Sequence, residues 1–185
     1  MSKELEIKIE TTFENYIKIK SFLEEKAERI VDKEQKDIYY SPAGIDFYNH
    51  GDRCLRMRIE DKKAVLSYKR IHDENKSSRF IEEYETRIEN SQIMDKILSA
   101  LNFEKIIVIR KKRCEYKYKD SYLVALDIVE GLGYFVEIEN RKEEDSVEKR
   151  NYDLMNIAKT FDLKMDNINT EGYSNMLYRK SRSIK

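Results

Sequence analysis

Residues 4–10 read Glu-Leu-Glu-Ile-Lys-Ile-Glu, a run in which charged residues alternate strictly with aliphatic ones. A period of two predicts a β-strand, and it places the carboxylates of Glu4 and Glu6 on the same face as the ammonium group of Lys8. Two adjacent carboxylates repel each other unless a cation lies between them, and the lysine can bind an anion. The run therefore indicates either a metal beside an anionic ligand or an ordinary strand with its charged face in solvent.

The composition limits the kinds of partner that this chain can have. It has 185 residues, a length typical of one domain, and we predict a single domain over residues 1–185. Lys plus Arg and Asp plus Glu both number 36, so no net charge attracts the chain to nucleic acid or to an acidic membrane surface. Any anion site must therefore come from local clustering of basic residues.

The sequence also indicates where the protein works. Its longest apolar runs are too short to cross a bilayer, and its start lacks the apolar segment of a signal peptide. Cys54 and Cys114 are its two cysteines, and they do not form a Cys-x-x-Cys motif. We therefore expect a cytoplasmic protein without a membrane partner.

Strand-like and helix-like periods alternate along the chain. Strands are predicted at residues 3–10, 29–40, 55–60, 64–69, 79–89, 104–118, 121–129 and 134–140. Helical spacing of apolar residues occurs at residues 13–23, 93–101, 146–161 and 173–180. This order predicts an α+β protein with eight strands.

Paired charges recur on one face of these strands, with apolar residues on the other face. The pairs are Arg56 with Arg58, Glu83 with Glu85, Lys111 with Arg113, and Glu137 with Glu139, while Lys69 ends a strand and Asp127 lies in an otherwise apolar one. An open sheet with one wet face explains simple alternation, but it does not require paired acids, paired bases and a lone Asp. We therefore predict a closed eight-stranded antiparallel β-barrel with a polar lumen and with its helices packed on the outside.

Such a lumen has the chemistry of a site for a triphosphate with its metal ion. Arginine side chains bind phosphate oxygens in bidentate fashion, lysines supply point charges, and carboxylates hold the Mg²⁺ that bridges phosphate oxygens. The same charges, taken alone, are also compatible with a structural network of salt bridges.

Several short motifs together resemble the CYTH superfamily, also called triphosphate tunnel metalloenzymes, and within it the class IV adenylate cyclase type. The N-terminal Glu-x-Glu-x-Lys matches the family hallmark, and residues 125–139 form the most specific block. The other matching segments are residues 37–40, 55–58, 111–113 and 172–177, together with Lys69, Arg79, Glu83 and Glu85. The resemblance covers nearly the whole chain and implies a β-barrel whose tunnel holds a triphosphate.

The resemblance also implies roles for individual residues. The metal, Mg²⁺ or Mn²⁺, would be held by Glu4, Glu6, Asp127, Glu137 and Glu139. Catalysis would involve Glu4, Glu6, Lys8, Lys111 and Arg113. The substrate would contact Lys8, Arg56, Arg58, Lys69, Glu83, Glu85, Lys111 and Arg113.

The leading activity implied by the resemblance is that of an adenylate cyclase, which converts ATP to cyclic AMP and pyrophosphate. A triphosphatase acting on tripolyphosphate, thiamine triphosphate or a nucleoside triphosphate uses the same clamp and the same metal, so these residues do not separate the two reactions. A polyphosphate-binding module without catalysis is a further alternative, and RNA binding is disfavoured by the zero net charge. The resemblance allows for a homodimer, although no sequence feature marks an interface.

Overall fold

The structure is a computed structural model that describes residues 5–45, 47, 52–61, 63–75, 78–142, 146–169 and 171–182, with the backbone alone for 71–75 and 78–81. The strands are β1 (Leu5–Thr11), β2 (Glu28–Pro42), β3 (Arg53–Glu60), β4 (Lys63–Asn75), β5 (Ser78–Ile88), β6 (Phe103–Tyr118), β7 (Tyr122–Val129) and β8 (Gly133–Asn140). The helices are α1 (Phe13–Lys26), α2 (Ser91–Ala100), α3 (Val147–Thr160), α4 (Tyr173–Arg182) and a 3₁₀ turn at Met165–Asn167. The order of strands and helices predicted from the sequence is confirmed. No helix within these ranges is long and apolar enough to cross a bilayer.

The strands form one sheet in the order β1-β8-β7-β6-β2-β3-β4-β5. Within the described ranges β1 and β5 are its two edges and do not pair with each other. The predicted closed barrel with a polar lumen is therefore wrong, because the described strands form an open sheet. Strict alternation decides which residues share a face, but closure also needs a strand tilt and a register shift that alternation does not encode.

The chain divides into two compact units, of which the first comprises residues 1–33 and 111–172. Helices α1 and α3 cover the apolar face of its strands, where Ile9, Leu126 and Ile138 pack with Leu23 and Leu154 in one core. All five side chains are fully buried. Burying each of them contributes roughly 1.5–3 kcal/mol, so this packing holds the strands in register and leaves their other face for charged residues.

The second unit comprises residues 34–110 and 173–185. Its apolar strand residues Ile38, Tyr40 and Met57 pack with Leu98 of α2. The Asn90 side chain begins α2 by accepting hydrogen bonds from the backbone N–H groups of residues 92 and 93, both at 3.0 Å. The prediction of a single domain over residues 1–185 stays a prediction.

Candidate functional site

The strand register of the first unit brings most of the predicted site residues of β1, β6, β7 and β8 onto one face. Side chains directly opposite each other on antiparallel strands share a face. Glu6 lies opposite Glu139, Lys8 lies opposite Glu137, and Arg113 lies opposite Asp127. We call this set the acidic–basic cluster: Glu6, Lys8, Lys111, Arg113, Asp127, Glu137 and Glu139. Glu4 lies outside the described residues.

Asp127 is the most deeply buried member of the acidic–basic cluster, with no exposed surface. Arg113 binds it in bidentate fashion, and its Nε donates a hydrogen bond to Asp127 Oδ1 at 2.7 Å. The Nζ of Lys111, which is also buried, lies 3.4 Å from Asp127 Oδ2. These two cations explain why a carboxylate is tolerated in an otherwise apolar strand.

Glu137 is tied to the same arginine. It accepts a hydrogen bond from Arg113, and Lys8 Nζ lies 3.3 Å from its Oε1. Burial and the negative charge of Asp127 would raise the pKa of this carboxyl. The positive charge of Arg113, followed by those of Lys8 and Lys111, outweighs both and lowers the pKa. Glu137 is therefore ionised at neutral pH.

Glu6 has the opposite electrostatic balance. Although part of its surface is exposed, the packing around its carboxyl and then the negative charge of Glu137 raise its pKa above the usual glutamate value. Glu139 adds to this increase, whereas Lys8 and Arg113 oppose it. A bound cation would favour the ionised form of Glu6.

The donor set of this cluster fits Mg²⁺ or Mn²⁺ in type. No group of three acidic, histidine or cysteine side chains among the described residues is arranged to hold a metal ion. Mg²⁺, however, is usually bound by one or two carboxylates together with phosphate oxygens and water. The facing carboxylates of Glu6 and Glu139 supply that number.

Removing either neighbouring charge should shift the pKa of Glu6 in a predictable direction. We expect the pKa of Glu6 to fall in Glu137→Gln, which removes a repelling negative charge, and to rise in Lys8→Met, which removes an attracting positive charge. The measurement is carboxyl ¹³C chemical shift against pH in metal-free protein. Equal pKa values in all three proteins would contradict this electrostatic account.

The second unit contains an arginine that is fixed in place by an acid. Arg58 on β3 lies opposite Asp37 on β2 and binds it in bidentate fashion, with Nε–Oδ1 and Nη2–Oδ2 distances of 2.7 and 2.8 Å. Asp37 is buried, which strengthens and orients this pair. Asp37 belongs to a segment that resembles the family but was not among the predicted site residues. Its sequence signal is a single acid directly before the apolar run Ile38-Tyr39-Tyr40.

Arg56 lies on the same face of β3, between Tyr39 on β2 and Ser67 on β4. Its Nε is buried and has no hydrogen-bond partner in the part of the chain that the structure describes. Burial, followed by the charge of Asp37, raises the pKa of Tyr39 to about 12, so this phenol is neutral. A buried guanidinium N–H without a partner is costly and is well suited to an anionic ligand.

A cavity of about 810 Å³ opens on this face of the second unit. Four cationic side chains line it, and we call them the basic wall: Arg56, Arg58, Lys63 and Arg87. Glu85 also lines the cavity, whereas Lys69 and Glu83 form an exposed ion pair of 3.1 Å outside its lining. Lys63 and Arg87 were not predicted, because neither belongs to a pair of like charges two residues apart. The sequence signal for Arg87 is that strand alternation puts it on the face of Glu83 and Glu85.

Comparison with known proteins agrees with these observations. The CYTH domain model matches residues 2–168. A Methanocaldococcus jannaschii protein named "putative adenylate cyclase" is 34% identical over 174 residues, which cover 91% of this chain and 96% of that protein. The structure of the PH1819 protein from Pyrococcus horikoshii is 27% identical, with a TM-score of 0.74 and coverage of 96% of this chain and 99% of that one.

A more distant structural relative comes from Hippeastrum. This protein is described as a "putative adenylyl cyclase" with a dominant triphosphatase activity, and it is 19% identical with a TM-score of 0.65. The alignment covers 98% of this chain and 96% of the Hippeastrum chain, and at this identity it shows a shared fold. The family model, which spans most of the chain, and the 34% identical relative establish that this protein belongs to the CYTH domain family.

Proposed function

We propose that this chain is a divalent-metal-dependent enzyme that acts on a triphosphate, and that its leading activity is that of a class IV adenylate cyclase. The observation that carries the proposal is the basic wall beside a cavity of about 810 Å³. Asp37 fixes the position of the Arg58 guanidinium group, and the buried Nε of Arg56 has no hydrogen-bond partner among the described residues. Guanidinium groups arranged in this way fit phosphate oxygens.

The metal belongs with the acidic–basic cluster. We assign Glu6 and Glu139 as its carboxylate ligands, with Glu4, Asp127 and Glu137 as further ligands implied by the family resemblance. When bound, the metal would stabilise charge on phosphate oxygens and lower the pKa of an attacking oxygen. Lys8 and Arg113 keep Glu137 ionised, and Lys111 and Arg113 keep Asp127 in place.

In the cyclase reaction the ribose 3′-oxygen attacks the α-phosphorus of ATP. The 3′-hydroxyl loses its proton, the bond from the α-phosphorus to the bridging oxygen breaks, and pyrophosphate leaves. Negative charge grows on the leaving pyrophosphate, so basic side chains that bind it more tightly in the transition state accelerate the step. The name of the Methanocaldococcus jannaschii relative supports this activity.

Triphosphate hydrolysis is the second candidate. Here water attacks the terminal phosphorus, and the same charge stabilisation is needed. The cavity favours this alternative because no aromatic side chain lines it within the described residues, so its wall offers no platform for stacking a nucleobase. A phosphate-binding module without turnover is the third candidate.

Product analysis separates these candidates. Purified protein is incubated with ATP or with tripolyphosphate, each with Mg²⁺ or Mn²⁺, and the products are resolved by ion-exchange chromatography. We expect cyclic AMP and pyrophosphate from ATP, and no product when EDTA replaces the metal. Orthophosphate without cyclic AMP would establish a triphosphatase. Unchanged substrates, with binding retained, would leave a binding module.

A further inference from the structure

We propose that Lys63 and Arg87 form a second anion subsite, which binds the far end of a linear phosphate chain whose nearer phosphates contact Arg56 and Arg58. This inference rests on the proposed action on a triphosphate and names the ligand class that the cavity prefers. All four side chains belong to the second unit and line the same cavity.

The strand register places the two arginines in one row across the sheet. Arg58 lies opposite Val65, and Val65 lies opposite Arg87. Since neighbouring strands are roughly 4.8 Å apart, the backbones of Arg58 and Arg87 are about 10 Å apart. Val65 is short and apolar, so it leaves space above the sheet between the two guanidinium groups. Lys63 lies on the same face, about 7 Å from Val65 along β4.

The charges of this row are available to a ligand. In the part of the chain that the structure describes, neither Lys63 nor Arg87 forms a salt bridge within 4.0 Å of an acidic oxygen. Three carboxylates also line the cavity: Glu85 on β5 and Glu89 just after it flank Arg87, and Glu60 on β3 lies opposite Lys63. Pairs between such exposed side chains contribute at most about 1 kcal/mol, so a chain of phosphates can displace them.

The side chains at the Lys63 and Arg87 end of the cavity determine which part of a ligand binds there. Two cations without an aromatic neighbour in the described lining favour an anion over a nucleobase. The backbones of Arg58 and Arg87 are about 10 Å apart, so a longer phosphate chain reaches further along the row than pyrophosphate does and contacts both side chains more readily. We therefore expect affinity to rise from pyrophosphate to tripolyphosphate to linear tetraphosphate.

Binding measured by isothermal titration calorimetry in EDTA tests the subsite without turnover. Arg87→Gln should weaken the binding of linear tetraphosphate about 10-fold and that of pyrophosphate less than about 2-fold, because one charged hydrogen-bonded contact is lost only by the longer chain. Arg87→Lys should recover part of the lost affinity, since it restores the positive charge but not the planar guanidinium group that donates two parallel hydrogen bonds. The double variant with Lys63→Gln should remove the preference for longer chains.

The matched control is Arg70→Gln, which alters an exposed arginine on the opposite face of β4 and should leave all affinities unchanged. Equal losses for pyrophosphate and tetraphosphate, or no loss for either, would overturn the subsite. Product analysis of the wild-type protein is an independent result. If the protein turns over its substrate but Arg87→Gln does not change the preference for longer phosphate chains, the subsite alone is refuted. If Arg87→Gln changes that preference but the protein has no turnover, only the proposed enzymatic activity is refuted.

Discussion

Asp127→Asn is expected to lower the free energy of unfolding by about 3–5 kcal/mol, the usual cost of removing one partner from a buried ion pair. Asn has nearly the same shape as Asp, so the effect reports the loss of charge. Arg113 and Lys111 would keep their positive charges in a buried setting without the carboxylate that now binds both. Urea unfolding followed by circular dichroism at neutral pH measures the difference.

Asp120→Asn is the matched control. The Asp120 side chain is 94% exposed, and its ion pair with Lys117 is on the surface. Its backbone φ is 57°, a conformation that Asn also tolerates, so we expect a change within about 0.5 kcal/mol. If Asp127→Asn instead stabilised the metal-free protein, repulsion among carboxylates would dominate the acidic–basic cluster, and the assignment of Asp127 as the partner of two cations would be refuted.

The faces of the strands could be predicted from the sequence alone. Alternation in β1 and β8 put Glu6, Lys8, Glu137 and Glu139 on one face, and the register confirms that they lie opposite each other in pairs. This result follows from the period of two, because a one-residue slip would expose the apolar residues and bury the charged ones.

Closure of the sheet and the pairing of distant strands could not be predicted. Alternation is the same in an open sheet and in a barrel, so it cannot distinguish between them. The eight strands were therefore predicted correctly, whereas the closed barrel was wrong. The contact between Asp37 and Arg58 depends on which strands are neighbours, information that no local pattern contains. Lys63 and Arg87 enter the cavity wall for the same reason, since β4 and β5 bring them beside β3.

Glu6→Gln is expected to reduce turnover of the preferred triphosphate by about 100-fold or more, because a metal ligand that stabilises phosphate charge contributes several kcal/mol to the transition state. Binding of tripolyphosphate in EDTA should stay within about 2-fold of wild type, since the basic wall is unchanged. Glu10→Gln is the matched control: it makes the same substitution on the same strand and face at an exposed position. Its turnover should equal that of the wild-type protein.

The pH dependence provides a second readout for Glu6. The packing around its carboxyl and the charge of Glu137 raise the pKa of Glu6, so it takes up a proton at a higher pH than an ordinary glutamate. Metal binding needs the ionised form. The apparent affinity for Mn²⁺, measured by calorimetry, should therefore fall as the pH is lowered through this raised pKa, and Glu6→Gln should weaken the affinity and flatten its pH dependence. Equal loss of turnover and of anion binding in Glu6→Gln would show that Glu6 maintains the structure of the site, and its assignment as a metal ligand would fail.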